Sequence, residues 1–162
     1  MYKATRDFIN ARKKWTKDPL RFPKYVKKLG TGEFNKCFEN ANNFLTERKK
    51  LGEKITLISG WLINPYDVNS DSTAIVQHWW CGDDQGNQFD TTPGVTDEQE
   101  YIIDFDINNF AVKNFKSIKS CVGMSLLYRN RSFFLLRDAD SMLFEEIIEL
   151  RTERLFKYLE PN

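Results

Sequence analysis

A strand–turn–strand run between Thr73 and Thr92 constrains this chain more than any other stretch. Thr73 to Cys81 is rich in β-branched and aromatic residues, and Asp83-Asp84-Gln85-Gly86-Asn87 is a turn of hairpin type. Gln88 to Thr92 returns as a second strand and stops at Pro93-Gly94. Side chains alternate along a strand, so Ala74, Val76, His78 and Trp80 share one face. With the turn centred on Asp84, His78 faces Asp90 and Trp80 faces Gln88, directly opposed and about 5 Å apart at Cβ. A slip of one residue would separate the two onto opposite faces. His78 is the only histidine of the 162 residues, so any histidine chemistry must use it.

The elements around the hairpin fall into order. Residues 4 to 16 predict a helix with Phe8, Ile9 and Trp15 inward, ended by Asp18-Pro19. A short basic turn of helix is expected over Lys24 to Leu29, broken by Gly30-Thr31-Gly32. Phe34, Phe38, Ala41 and Leu45 then recur at helical spacing, with Asn35 as N-cap, Cys37 in the first turn and Gly52 as the stop. Ile55 to Ile63 reads as a strand interrupted at Ser59-Gly60, and 64–72 as a polar loop. Further strands are expected at Tyr101 to Ile107 and Cys121 to Arg129. Ser132 to Arg137 should pair with the latter across Asn130-Arg131, and Ser141 should cap a closing amphipathic helix. The expectation is one α+β domain over residues 1–162: helices first, an antiparallel sheet, and a C-terminal helix.

Bulk composition narrows the function classes. An apolar share of 41% with 13 phenylalanines excludes a disordered chain. No apolar run approaches the roughly 20 residues of a membrane span. The start, Met-Tyr-Lys-Ala-Thr-Arg-Asp, lacks the apolar segment of a signal peptide. Three widely spaced cysteines make no disulfide framework, so the expected location is cytoplasmic, where a free thiolate persists. One histidine and scattered cysteines predict no metal site, and no phosphate or dinucleotide glycine motif predicts a cofactor. Residues 1–30 carry ten Lys or Arg against two Asp, a net of +8, leaving −7 for the remainder. The favoured reading is that this basic segment solvates helices and pairs with the acidic body. Contact with an acidic partner or with nucleic acid is the weaker one, since no nucleic-acid motif accompanies the charge.

Cys37, His78 and Asp90 suit one another chemically. A free thiol has a pKa near 8.5, and a helix N-terminus lowers it because unpaired N–H groups favour an anion. The amide of Cys37 itself is free to face a developing oxyanion. Each residue also has an ordinary reading: Cys37 as a small buried hydrophobe, His78 as a core histidine on a backbone carbonyl, and Asp90 as a turn cap.

The stretches Cys37-Phe-Glu-Asn-Ala41, Ser59-Gly60-Trp61, His78-Trp79-Trp80 and Asp90-Thr-Thr-Pro93 cover the third of the chain from Asn35 to Pro93. This region resembles the transglutaminase-like branch of the papain-like cysteine enzymes. Trp79 stands where that family has a small residue, and Thr91 where it has proline. No upstream glutamine matches papain's oxyanion donor. The resemblance implies Cys37 as nucleophile, His78 as general base and acid, and Asp90 as the group that orients the imidazole. Asn40, Trp61 and Trp79 are expected to line the substrate cleft. The expected activity is acyl transfer from an amide of a protein or peptide-like substrate. Hydrolysis by a protease, amidase or deamidase is preferred over crosslinking, because water is the only second substrate it needs. The alternative is a non-enzymatic binding or inhibitor protein that keeps the fold.

Overall fold

The first helix is set by four inward positions, Ala4, Thr5, Phe8 and Arg12, which make one stripe at helical spacing on α1 (Lys3–Arg12). The computed structural model describes residues 1–14, 16–106, 125–136 and 144–145. Phe8 carries the docking of α1: its ring meets Trp61 edge-on at 5.0 Å and Phe133 at 6.1 Å. Trp15, expected on the same inner face, lies outside the described residues.

Lys24 to Leu29 is not a helical turn. Lys27–Lys28 is a short strand, β1, parallel to β4 (Gln88–Asp90), and Leu29 N donates to Asp90 O at 2.7 Å. Val26 is buried between exposed Tyr25 and Lys27, which is the alternation of an extended chain. Tertiary backbone pairing overrides the helix propensity of the lysines here.

Helix α2 (Cys37–Lys50) follows, with Phe38 and Ala41 buried and Phe44 and Leu45 packed at the margin of the core. Its C-terminus closes as a Schellman turn, with Gly52 N on Lys49 O at 3.0 Å and Glu53 N on Arg48 O at 3.1 Å. Its N-terminus differs from expectation. The N-cap is Lys36 and makes no side-chain cap bond, while Asn35 takes a left-handed φ of 58° in the approach to the helix. Phe34 falls outside the helical stripe and is 71% exposed.

Strand β2 (Ile55–Ile63) runs without interruption through Ser59-Gly60 and pairs antiparallel with β3 (Thr73–Asp83) over its whole length. β5 (Glu100–Ile103) covers the other edge of β2. β6 (Ser125–Arg129) and β7 (Ser132–Leu136) form a hairpin whose turn residues, Asn130 and Arg131, both have positive φ, the backbone a two-residue turn of this hand requires. β8 (Phe144–Glu145) pairs with β7, so these two residues of the expected closing helix are extended. The remainder of that helix and Cys121 lie outside the described residues. The eight described strands make one sheet, mixed rather than purely antiparallel because of the β1–β4 pair. The class is α+β. Among the described residues no helix is long and apolar enough to cross a membrane.

The sheet separates two apolar clusters. Ile75, Trp79 and Cys81 of β3 point into the larger one, with Phe8 and Phe38 of the helices. Trp80 points the other way, toward Val26, Leu62, Tyr101 and Ile103. Along its second edge β3 pairs with β6 over Thr73–Val76 and with β4 over Cys81–Gly82. Among the described residues no strand covers that edge from Gln77 to Trp80. That gap positions the site.

Candidate functional site

His78 stands in the gap, on the same face as Trp80, whose ring stacks parallel to the imidazole at 6.1 Å and 22°. The hairpin that brings Asp90 to it has a three-residue turn. Asp83 N bonds Asn87 O at 2.9 Å, and Gly86 supplies a φ of 86° that a side chain would resist. Asp83 also gathers Gln85 N, Asn87 N and the Asn87 side chain on its carboxylate, which holds its pKa below the ordinary aspartate value.

The register about this turn pairs Cys81 with Phe89 and Gly82 with Gln88. It is displaced by two residues from a turn centred on Asp84, so His78 and Asp90 are diagonal neighbours rather than directly opposed. A displacement of two preserves the face, and both expected partners meet. His78 Nε2 lies 2.6 Å from Asp90 Oδ2, and Trp80 Nε1 donates to Gln88 Oε1 at 2.6 Å.

Asp90 is wholly buried and accepts from several donors. Oδ2 takes the imidazole and the Tyr101 hydroxyl, the latter also at 2.6 Å, and Oδ1 takes Thr92 N at 2.8 Å. Burial would raise its pKa, but the hydrogen bond and charge of His78, with the bonds from Tyr101 and Thr92, outweigh it and hold the carboxyl below its usual range. For His78, burial acts to lower the pKa. The hydrogen bonds and charges of Asp90 and Cys37 overcome it and bring the imidazole up to about 9. Since Nε2 serves Asp90, Nδ1 is the ring nitrogen left to serve Cys37.

Cys37 is the first residue of α2, half-buried, and near enough to that ring to help raise its pKa. The approach to it is fixed from two sides. Gly32 N donates to Thr91 O at 2.8 Å, which ties the loop to the residue after Asp90. Asn40 reaches back from α2, its Oδ1 taking Glu33 N at 2.9 Å and its Nδ2 giving to Glu33 O at 2.7 Å. A Cβ at position 32 would fall 2.3 Å from Asn40 Cγ, so a glycine there lets the amide seat. Cys37 packs against the helix-side cluster and His78 lies on the opposite face, and they meet at the uncovered edge of β3.

The structure thus brings together Cys37, His78 and Asp90. It does not bring Asn40, Trp61 or Trp79 to the same opening. Asn40 spends both ends of its amide on Glu33. Trp61 is 0% exposed, pressed on Phe8, with its indole N–H on Asp104 Oδ2 at 3.0 Å. Trp79 is 1% exposed and meets Phe38 edge-on at 5.2 Å. All three position structure rather than face a cleft. Tyr101 read only as the start of a strand, because its partner depends on β5 crossing to β2, which no local signal reveals. The second described cysteine, Cys81, is buried against α2 with its thiol on Ala41 O at 3.2 Å, and burial with the nearby Asp90 charge pushes it up to about 12. Among the described residues no group of three or more His, Cys, Asp or Glu side chains is placed to hold a metal ion.

Comparison with protein-family models, curated proteins and solved structures gives no match for this chain.

Proposed function

We propose that this chain is a cysteine-dependent acyl-transfer enzyme acting on an amide bond of a protein or peptide-like substrate, with a fold of the transglutaminase-like, papain-like kind. The observation that carries the reading is the Asp90–His78 hydrogen bond of 2.6 Å, with Cys37 at the start of α2 near enough to the same ring to help raise its pKa. A thiol, an imidazole and a buried carboxylate in series are the parts nucleophilic catalysis needs. The Cys37 thiolate attacks the amide carbonyl, and the tetrahedral oxyanion is met by the Cys37 amide, which has no acceptor inside its helix. His78, held as imidazolium by Asp90, gives its proton to the leaving amine. The thioester that remains is opened by water, which His78 deprotonates in the second step. Hydrolysis is favoured over transfer to a second amine because it needs no further binding site.

The orientation of the ring is the part Asp90 supplies. Fixing the tautomer and the plane of the imidazole keeps Nδ1 aimed at sulfur throughout both steps. A peptide-amide or protein substrate pool incubated with the protein and quenched in acid is expected to leave an acyl adduct on Cys37, read by peptide mass spectrometry. Cys37→Ala should remove both adduct and turnover. Turnover that survives this substitution would refute the reading.

A further inference from the structure

The carboxylate that orients His78 is itself oriented. Asp90 Oδ2 is shared between His78 Nε2 and the Tyr101 hydroxyl, each at 2.6 Å, while Oδ1 is held by Thr92 N. Tyr101 comes from β5, where it pairs with Leu62 of β2, so it reaches Asp90 from a strand outside the hairpin that carries His78 and Asp90. Its ring also meets His78 edge-on at 6.1 Å and 61°, and Trp80 at 5.2 Å and 70°. Tyr101 is buried, and burial together with the Asp90 charge pushes its ionisation up, so the hydroxyl remains a donor across the working pH range.

We propose that Tyr101 is a positioning residue for the Cys37–His78–Asp90 site, clamping the Asp90 carboxylate through its hydroxyl and the imidazole plane through its ring. This rests on the catalytic reading above. Without the hydroxyl, Asp90 keeps a buried lone pair on Oδ2 with no donor, and that oxygen is held by His78 alone. With it, Oδ2 is held from two sides, and part of its acceptor strength is drawn away from the imidazole. The Tyr101 hydroxyl donates to Asp90, not to the nucleophile or to a substrate atom. The other ionisable groups facing this cluster are Cys81 behind Asp90 and Lys28 of β1, whose Nζ lies 5.8 Å from the Tyr101 ring centre and pairs with Asp97.

The single histidine makes the test direct, since its ring resonances give one titration curve. Tyr101→Phe keeps the ring and removes only the hydroxyl. The His78 midpoint is then expected to move up, on the order of half a pH unit, because Nε2 becomes the only side-chain donor to Oδ2. Asp90→Asn is expected to move it down, by about one unit or more. A midpoint that falls or stays put in Tyr101→Phe, while Asp90→Asn lowers it, overturns the role of Tyr101 and leaves the triad standing. A midpoint unmoved by Asp90→Asn removes the triad itself. The wild-type protein offers a check that needs no variant to fold. Two far-downfield protons, the Tyr101 hydroxyl and His78 Nε2–H, should shift together through the His78 midpoint. A hydroxyl resonance indifferent to that titration counts against the proposal.

Discussion

Two carboxylates lie equally deep in this protein, and their surroundings make them different objects. Asp104, 1% exposed, takes Arg12 Nε at 2.7 Å and Arg12 Nη2 at 3.3 Å, with Trp61 Nε1 on the same carboxyl. Asp90, 0% exposed, takes His78, Tyr101 and Thr92 N. A guanidinium does not titrate in a protein, so the Asp104 pair is a fixed strut that pins α1 to the residue after β5. An imidazole does titrate, and the Asp90 pair ends on a thiol. The same burial therefore gives a staple at one place and a chemically responsive site at the other. What decides between them is the partner, not the depth.

The largest effect is expected at the strut. Arg12→Ala leaves a buried carboxylate without its cation and should cost about 3–5 kcal/mol in urea unfolding. If the loss is under about 1 kcal/mol, Asp104 is better solvated than its burial implies and the contrast weakens. The responsive pair should show itself through pH. The folded-state pKa of His78, about 9, lies above its unfolded value near 6.5. The stabilisation it gives is therefore complete below about pH 6.5 and is lost as pH rises through 9, on the order of 3 kcal/mol in all. Asp90 works with the opposite sign. Its depressed pKa adds stability above the ordinary carboxylate range that is lost as pH falls through the folded value. Urea midpoints between pH 6 and 9.5 for wild type and His78→Gln test this: wild type should weaken more across the window, since the Cys81 contribution at its upper end is common to both. The smallest effect belongs to the loop before Cys37. Asn40→Ala removes both bonds to Glu33 and should cost about 1–3 kcal/mol while slowing modification of Cys37. Equal stability and equal thiol reactivity would mean the loop is held by Thr91 alone.

Much of the site was legible before any coordinates. The bounds of β2 fall where the β-branched run begins and ends, and the turn residues between β3 and β4 announce a hairpin. The His78–Asp90 contact survived a register displaced by two because only the parity of the offset decides the face. Where structure departs from local pattern, tertiary pairing decides. Lys27 and Lys28 read as helical, yet they pair in parallel with a strand some 60 residues away. Phe34 has the right spacing for the α2 stripe but precedes the helix, and Asn35 adopts positive φ instead of capping it. Trp61 and Trp79 sit beside motif residues in sequence, and strand alternation turns both into the core. Arg12 reads in the sequence as one more cation of a basic segment, and its pairing with Asp104 across the fold has no local sign. Tyr101 reads as the start of a strand, and nothing local marks its bond to Asp90.

The state of Cys37 is the most direct test of the proposed chemistry. The measurement is the second-order rate of its alkylation by iodoacetamide between pH 5 and 9, followed by peptide mass spectrometry, in wild type and His78→Gln. The expected result is that Cys37 is labelled first, that Cys81 stays unmodified in the folded protein, and that His78→Gln slows Cys37 at least about tenfold at pH 6. Labelling of Cys81 or Cys121 ahead of Cys37, or equal rates in the two proteins, would contradict it.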